Sequence, residues 1–264
     1  MKLGVVYKFK PFNKINGTLF YCFEYYRFIQ KYKPVNFYIV DISSDDLELV
    51  KTLFLQKYNI TEVSIIPISR IDLFKLQLDK TIIFDVLTFY DVKEFLTGEV
   101  LCYSNDEHNM FRYKNNRKVT YYGSYPYQNY DVFSYLKLNF EIFKPITTTA
   151  VGVFVSALNQ NYISERLEEY KERFNMPVIL KKSYTGSGNI FEHISHVHYV
   201  HTSRDTNNRI IPEAFFYNKT ISIDHFPYKE VDSIHYRYTD IIENGLSNYT
   251  LTESDEIIKQ CLKS

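Results

Sequence analysis

The chain has no tryptophan, few cysteines, few glycines and no net charge, and each shortage excludes something. Cys22, Cys102 and Cys261 are odd in number and far apart, with no CxxC or Cys/His spacing that would hold zinc. Reduced thiols are therefore expected. Thirty-one basic and thirty-one acidic residues cancel, so no global field draws the chain to nucleic acid or an anionic membrane. No apolar run approaches the roughly 20 residues that span a bilayer. The opening MKLGVVYKFKPF lacks the apolar core of a signal peptide, and a soluble cytoplasmic protein without membrane partners is expected. Asn16, Asn59, Asn218 and Asn248 begin sequons that an Asn-rich chain contains by chance. The glycines build no GxGxxG after the first strand, where the sequence is KFKPFNKING, which argues against a dinucleotide dehydrogenase. There is no Walker A lysine motif, no GxSxG elbow and no HExxH.

What is present is an alternation of apolar runs and amphipathic stretches. KLGVVYKF, VNFYIVDI, EVSIIPIS, TIIFDVLTF and EVLCYSN read as five strands, separated by LFYCFEYYRFIQKY, SSDDLELVKTLFLQKY, RIDLFKLQL and DVKEFLTG as helices. Such βα units in succession predict a doubly wound parallel sheet over 1–144. Gly17 falls where the first loop enters its helix, as a turn glycine or as a place where a ligand approaches the backbone. Asp45 and Asp46 read as ordinary first-turn acids. Asp41 ends the second strand, and Asp85 lies in or just after the fourth, where a carboxylate needs a partner or a function. Between 106 and 131 a basic cluster, Arg112, Lys114, Arg117 and Lys118, is interleaved with tyrosines. That suits a nucleic-acid or sugar surface, or equally a solvated hairpin over the sheet edge.

After Pro145 a new apolar run opens a second Rossmann-like domain, expected over 145–240, with a cleft between the two. ISERLEEYKERFN predicts one amphipathic helix, MPVILKKSY a strand, and Gly186 and Gly188 a turn before a short helix. Residues 241–264 close with a helix capped by Ser254, which could cross back to the first domain. The stretch 196–225, HVHYVHTSRDTNNRIIPEAFFYNKTISIDH, reads as strand, polar loop, short helix and strand. Asn207 or Asn208 can cap the helix, and Pro212 is tolerable because it falls in the first turn. Arg209 and Glu213 then share one helical face beside the carboxyl end of a strand, where open α/β sheets bind phosphates and sugars. A surface ion pair four residues apart is the plain alternative. His193, His196, His198, His201 and His225 invite a metal reading, but strand alternation splits them and leaves at most a pair, so no metal is implied.

The segment Arg209-Ile-Ile-Pro-Glu-Ala resembles the donor-site motif of GT-B glycosyltransferases, in which a Glu-Ala pair opens a helix of the C-terminal domain. Asp205 stands eight residues before Glu213, where the longer form of that motif has a glutamate. The wording DTNNRIIPEAFFYNKTI and the composition also resemble phage-borne members, among them glucosyltransferases acting on hydroxymethylated bases of DNA. The resemblance implies two Rossmann-like domains facing a cleft, a monomer, and a nucleotide-sugar co-substrate (a UDP-sugar is favoured) with no further cofactor. In the host cytoplasm of a phage, DNA would be the partner. It also implies that Glu213 holds ribose hydroxyls and that Arg209 and its neighbours hold the pyrophosphate.

Asn208, Ser187, Gly188, Ser156 and Gly17 are further donor contacts on this reading, and Asn159 is a lesser one. Arg112, Lys114, Arg117 and Lys118 would line the acceptor. A carboxylate base is needed at the acceptor hydroxyl. Asp85 leads, Asp41 follows, and Glu24 and Asp106 stand behind them; a helix cap or buried ion pair is the competing role for Asp85. Competing functions are a non-catalytic nucleic-acid-binding protein built on 112–118, a structural phage or host-interaction protein, and a transferase acting on a polysaccharide, protein or small molecule.

Overall fold

A computed structural model describes residues 1–11, 16–84, 86–103, 119–122, 139–147, 149–157, 159–180, 189–201, 209–225 and 262–263. The chain divides into two compact units, one of Met1–Leu55, Ile60–Asn139 and Thr250–Ser264, the other of Gln56–Asn59 and Phe140–Tyr249. Among the described residues no helix is long and apolar enough to cross a membrane.

The first unit contains β1 (Leu3–Lys8), α1 (Gly17–Gln30), β2 (Asn36–Val40), α2 (Ser44–Lys57), β3 (Ile66–Ile68), α3 (Arg70–Leu76), β4 (Lys80–Ile83), α4 (Val86–Val92), β5 (Glu99–Tyr103) and β6 (Val119–Tyr122). The last turn of α2 belongs to the second unit. All six strands are parallel in the order β3-β2-β1-β4-β5-β6, the doubly wound arrangement whose strand order reverses between β1 and β4. β1 and β2 are buried almost throughout, without alternation, because parallel strands are covered on both faces.

Asn16 starts α1 by accepting from the Leu19 N–H at 3.0 Å, and its amide donates to the Tyr7 hydroxyl at 2.9 Å. The aromatic residues of α1 supply the core. Phe23 stacks on Phe54 of α2 with ring centroids 4.2 Å apart, and Tyr26 stacks on Phe37 of β2 at 5.9 Å. Full burial of each such ring stabilises by roughly 1.5–3 kcal/mol before entropy is counted.

The run TIIFDVLTF is not one strand. β4 stops at Ile83, and α4 begins at Val86 and turns back so that Thr88 accepts from the Lys8 N–H at 3.3 Å. An unbroken apolar run does not reveal where a buried strand hands over to a buried helix. Gly98 likewise ends no helix. It precedes β5, where a Cβ would collide with the Asp79 carbonyl. β6 pairs parallel with β5, and the rest of the Tyr-rich stretch over 106–131 lies outside the described residues.

The second unit has β7 (Val153–Ala157), α5 (Gln160–Ser164), α6 (Leu167–Phe174), β8 (Val178–Leu180), β9 (His196–His201), α7 (Ile210–Phe216) and β10 (Thr220–His225). Its four strands are parallel in the order β10-β9-β7-β8, which reverses between β7 and β9. The single helix expected over ISERLEEYKERFN is two. Asn159 caps α5, and Arg166 breaks the run at φ −115° and ψ 19°, its guanidinium 3.7 Å from the Tyr162 ring centroid and donating to the Tyr162 carbonyl at 3.1 Å. The short helix after Gly188 is a 3-10 turn, Ile190–Glu192. A second 3-10 turn, Phe140–Ile142, leads to a bridge between Tyr58 and Phe143, and Asn59 N–H donates to the Ile142 carbonyl at 2.6 Å. Of the C-terminal segment only Leu262 and Lys263 are described, their carbonyls accepting from Lys33 at 3.3 Å and Lys80 at 3.4 Å. The expected helix over 241–264 and its Ser254 cap otherwise lie outside the described residues.

Candidate functional site

β9 leaves the sheet at His201, and the chain re-enters described structure at Arg209, immediately before α7. Arg209 itself is the N-cap, in helical backbone geometry and with no side-chain capping bond, so neither Asn207 nor Asn208 holds that position. Pro212 is the third residue of α7, where its missing N–H costs nothing. Ile211, Pro212, Glu213 and Ala214 are all buried. A carboxylate therefore enters the interior in the first turn.

Glu213 is met there by two cations. Its Oε1 accepts from Arg209 Nε at 2.6 Å and its Oε2 from Lys57 Nζ at 2.7 Å. The three side chains are 5%, 12% and 13% exposed, so Arg209 and Glu213 are not the surface pair that their spacing also allowed. Lys57, the last residue of α2, is positioned by its own surroundings. Its carbonyl accepts from the Lys144 N–H at 3.1 Å, and its ammonium lies 5.2 Å from the Phe143 ring centroid. Phe143 packs edge-on to Tyr58 at 5.3 Å and to Phe216 of α7 at 5.3 Å. The end of α2 and the start of α7 are thereby held around one aromatic cluster.

Burial alone would push the Glu213 carboxyl up; Lys57 and then Arg209 outweigh it and hold the group below the usual carboxylate range. Glu213 is thus one anion held between two cations. An ionised carboxylate has about four lone-pair positions, and the two cations occupy one on each oxygen. Buried ions of this kind cost several kcal/mol each to desolvate, so the cluster is expensive as a mere staple.

The other expected site residues are dispersed. Asp41 follows β2 at φ 55°, with Arg70 Nε at 2.9 Å and Lys8 Nζ at 3.3 Å. Two cations already occupy the second-choice base. Glu24 is fully buried on α1 among the packed aromatic residues, out of reach of any acceptor. Ser156 lies within β7, paired in register with Tyr199 and buried, not in the loop after the strand. Gly17 is the first residue of α1, next to the Asn16 cap. Asn159 spends its side chain on the Tyr162 N–H at 3.3 Å. Asp85, Asp106, Arg112, Lys114, Arg117, Lys118, Ser187, Gly188 and Asn208 lie outside the described residues. Lys57 was not among the candidates, because nothing near it in sequence marks it: 156 positions separate it from Glu213.

A second polar cluster lies under α6, on the sheet face that His196 and His198 share with Thr220, Ser222 and Asp224. His196 contacts Thr220 Oγ1 and Ser222 Oγ, each at 2.7 Å, and His198 Nδ1 contacts Ser222 Oγ at 2.8 Å. His198 Nε2 is 3.2 Å from Asp224 Oδ2, close enough for charge attraction but not aligned as a hydrogen bond. Arg173 of α6 grips Asp224 through two nitrogens, and Tyr170 and Phe174 cover the imidazoles at 5.0–5.5 Å between centroids. Burial, and secondarily Arg173 and His196, push His198 down to about 4 against the pull of Asp224. Burial and Arg173 also lower His196. His193 is exposed beyond its 3-10 turn, and the side chains of His201 and His225 are not described. Among the described residues no group of three His, Cys, Asp or Glu side chains converges as a metal site.

No protein-family model matches the chain, and no curated protein sequence matches it. Among solved structures it is similar to a Listeria monocytogenes protein named as a UDP-N-acetylglucosamine 2-epimerase, at 8% identity and TM-score 0.43, over 98% of this chain and 90% of that one. It is also similar to MurG of Acinetobacter baumannii, at 10% identity and TM-score 0.41, over 100% and 94% of the two chains. At such identities no residue role passes from one chain to the other.

Proposed function

We propose that the chain is a glycosyltransferase of GT-B type that moves a sugar from a nucleoside diphosphate, a UDP-sugar in the first instance, to an acceptor hydroxyl. The observation that carries this reading is the buried, ionised Glu213 between Lys57 and Arg209, at the start of the helix that follows β9. A carboxylate with lone pairs to spare suits the two hydroxyls of a ribose. The two cations beside it suit a diphosphate, whose departure needs stabilisation that cations supply. The motif resemblance around Arg209-Ile-Ile-Pro-Glu-Ala and the doubly wound order of the first sheet support the same reading.

In the reaction the acceptor oxygen bonds to the anomeric carbon and the bond from that carbon to the diphosphate oxygen breaks. The nucleoside diphosphate leaves with the bonding pair, and the acceptor proton passes to a carboxylate. Asp85 is our choice for that carboxylate, with Asp41 behind it. Arg112, Lys114, Arg117 and Lys118 are our acceptor-side residues, and a hydroxymethylated base in phage DNA is the acceptor they would suit.

The test is thermal. A nucleotide sugar at a hundredfold excess over its Kd stabilises a protein by about 2.7 kcal/mol, a shift of several degrees in Tm. UDP-glucose or UDP-N-acetylglucosamine should raise the melting temperature, and Glu213→Gln should remove the shift. No shift with any nucleoside diphosphate sugar overturns the reading. Mass spectrometry after offering mixed nucleotide sugars with hydroxymethylated and plain DNA then names the sugar and tests DNA as acceptor.

A further inference from the structure

Lys57 stands apart from everything else assigned to this site. It comes from the end of a helix that begins beside β2, yet its ammonium reaches a carboxylate 156 residues later at 2.7 Å. The backbone at Lys57, Tyr58 and Asn59 is fixed by the Lys144 bond, the bridge to Phe143 and the bond to Ile142. The ammonium is thus delivered from a rigid point. Arg209, by contrast, stands only one helical turn from Glu213.

We propose that Lys57 is a positioning residue for nucleotide recognition: by holding one oxygen of Glu213 while Arg209 holds the other, it fixes the carboxylate, ionised, as the acceptor for the vicinal hydroxyls of a ribose. The proposal rests on the donor-site reading above and adds a residue and a ligand feature to it. A ribonucleoside diphosphate is the ligand class, and the 2′-hydroxyl is the group recognised. Discrimination against a deoxyribonucleotide follows, because a site that must leave a buried acceptor unmatched rejects the analogue. Among the described residues the charged groups acting on Glu213 are Lys57 from α2 and Arg209 before α7. The histidines of β9 and Asp224 of β10 lie on the face covered by α6.

The consequence is a pH profile. With Lys57 in place the carboxylate stays ionised across the neutral and mildly acid range. Without Lys57, burial is opposed by Arg209 alone, so protonation moves up into that range and ribose binding weakens as pH falls. Calorimetric titration of UDP and of 2′-deoxy-UDP from about pH 8 to about pH 5.5 measures this, each protonation unit being worth about tenfold in affinity. The wild type should prefer UDP at every pH with a nearly flat profile. Lys57→Met should lose about tenfold for UDP at the acid end and little at the alkaline end. Lys57→Arg should restore the flat profile, and Lys57→Met combined with Glu213→Gln should be weak and flat.

A flat, wild-type-like profile in Lys57→Met overturns the proposal while UDP still binds. Should Lys57→Met not fold, the wild type decides alone. A loss of UDP affinity on acidification that Glu213→Gln abolishes, or equal affinity for UDP and 2′-deoxy-UDP, also overturns it. Failure of the wild type to bind UDP at all overturns the donor-site reading instead, and the two failures are therefore distinct.

Discussion

Two acids in the second unit, Glu213 and Asp224, make opposite use of their partners. Glu213 has a cation on each oxygen. Asp224 has one cation, Arg173, and a histidine that burial keeps neutral, so its cluster sums to zero. Thr220, His196, Ser222 and His198 are joined by hydrogen bonds across β9 and β10, and Arg173 of α6 grips Asp224 beside them. Burial differs as well. Glu213 and its cations are nearly enclosed, whereas Arg173 and Asp224 are 42% and 38% exposed. The difference sets an enclosed ion cluster, costly unless the fold has a use for it, against a half-solvated one that joins a helix to a sheet.

The largest effect should come from breaking the first cluster. Glu213→Ala takes the carboxylate between them from Lys57 and Arg209. Removing one partner of a buried ion pair costs about 3–5 kcal/mol. Urea unfolding should show that loss at pH 7, and adding Lys57→Met should recover part of it. Full additivity of the two losses would mean that the pair is not coupled.

Next in size is acid sensitivity, and here the second cluster dominates. His198 has a folded-state pKa depressed to about 4, so the unfolded chain binds its proton more readily. The stability this histidine contributes is complete above its unfolded pKa near 6.5 and is lost as pH falls from there towards 4. Between pH 7 and pH 4.5 the loss should be about 2–3 kcal/mol. Glu213 and Asp224 are depressed carboxyls whose contribution is lost only as pH drops below the ordinary carboxylate range. His198→Gln should therefore flatten the stability profile above that range. An unchanged slope would show that the histidine is not buried neutral.

How much of this could be read in the sequence differs between the clusters. The HxH alternation puts His196 and His198 on one strand face, and β9 presents these two side by side over Ser222. Arg209 and Glu213 were expected together from helical spacing alone. Their burial was not, because it depends on Phe143, Phe216 and Tyr58, brought together from three distant segments. Lys57 reads as an ordinary basic residue in the last turn of a helix. Strand positions in the first unit were readable as apolar runs between polar breaks; the order β3-β2-β1-β4-β5-β6 was not, because local pattern does not record which strands are neighbours. The handover from β4 to α4 failed for the same reason. In TIIFDVLTF apolar residues flank Asp85 on both sides with no regular spacing, so a short buried strand and a short helix cannot be told apart by period.

The smallest expected effect tests the staple. Arg173→Ala removes both nitrogens from Asp224 and uncovers part of Phe174, over which the guanidinium lies at 5.3 Å. Both charges are more than a third exposed, so water takes over much of the lost interaction, and exposed pairs are worth about 0.2–1 kcal/mol. The loss should lie within that range at low salt and shrink in about 1 M salt, where the screening length falls to about 3 Å. Part of it should persist at any salt, because the arginine stem packs as well as charges. A salt-independent loss of about 3 kcal/mol or more would place Asp224 with Glu213, as a desolvated anion that the fold keeps for use.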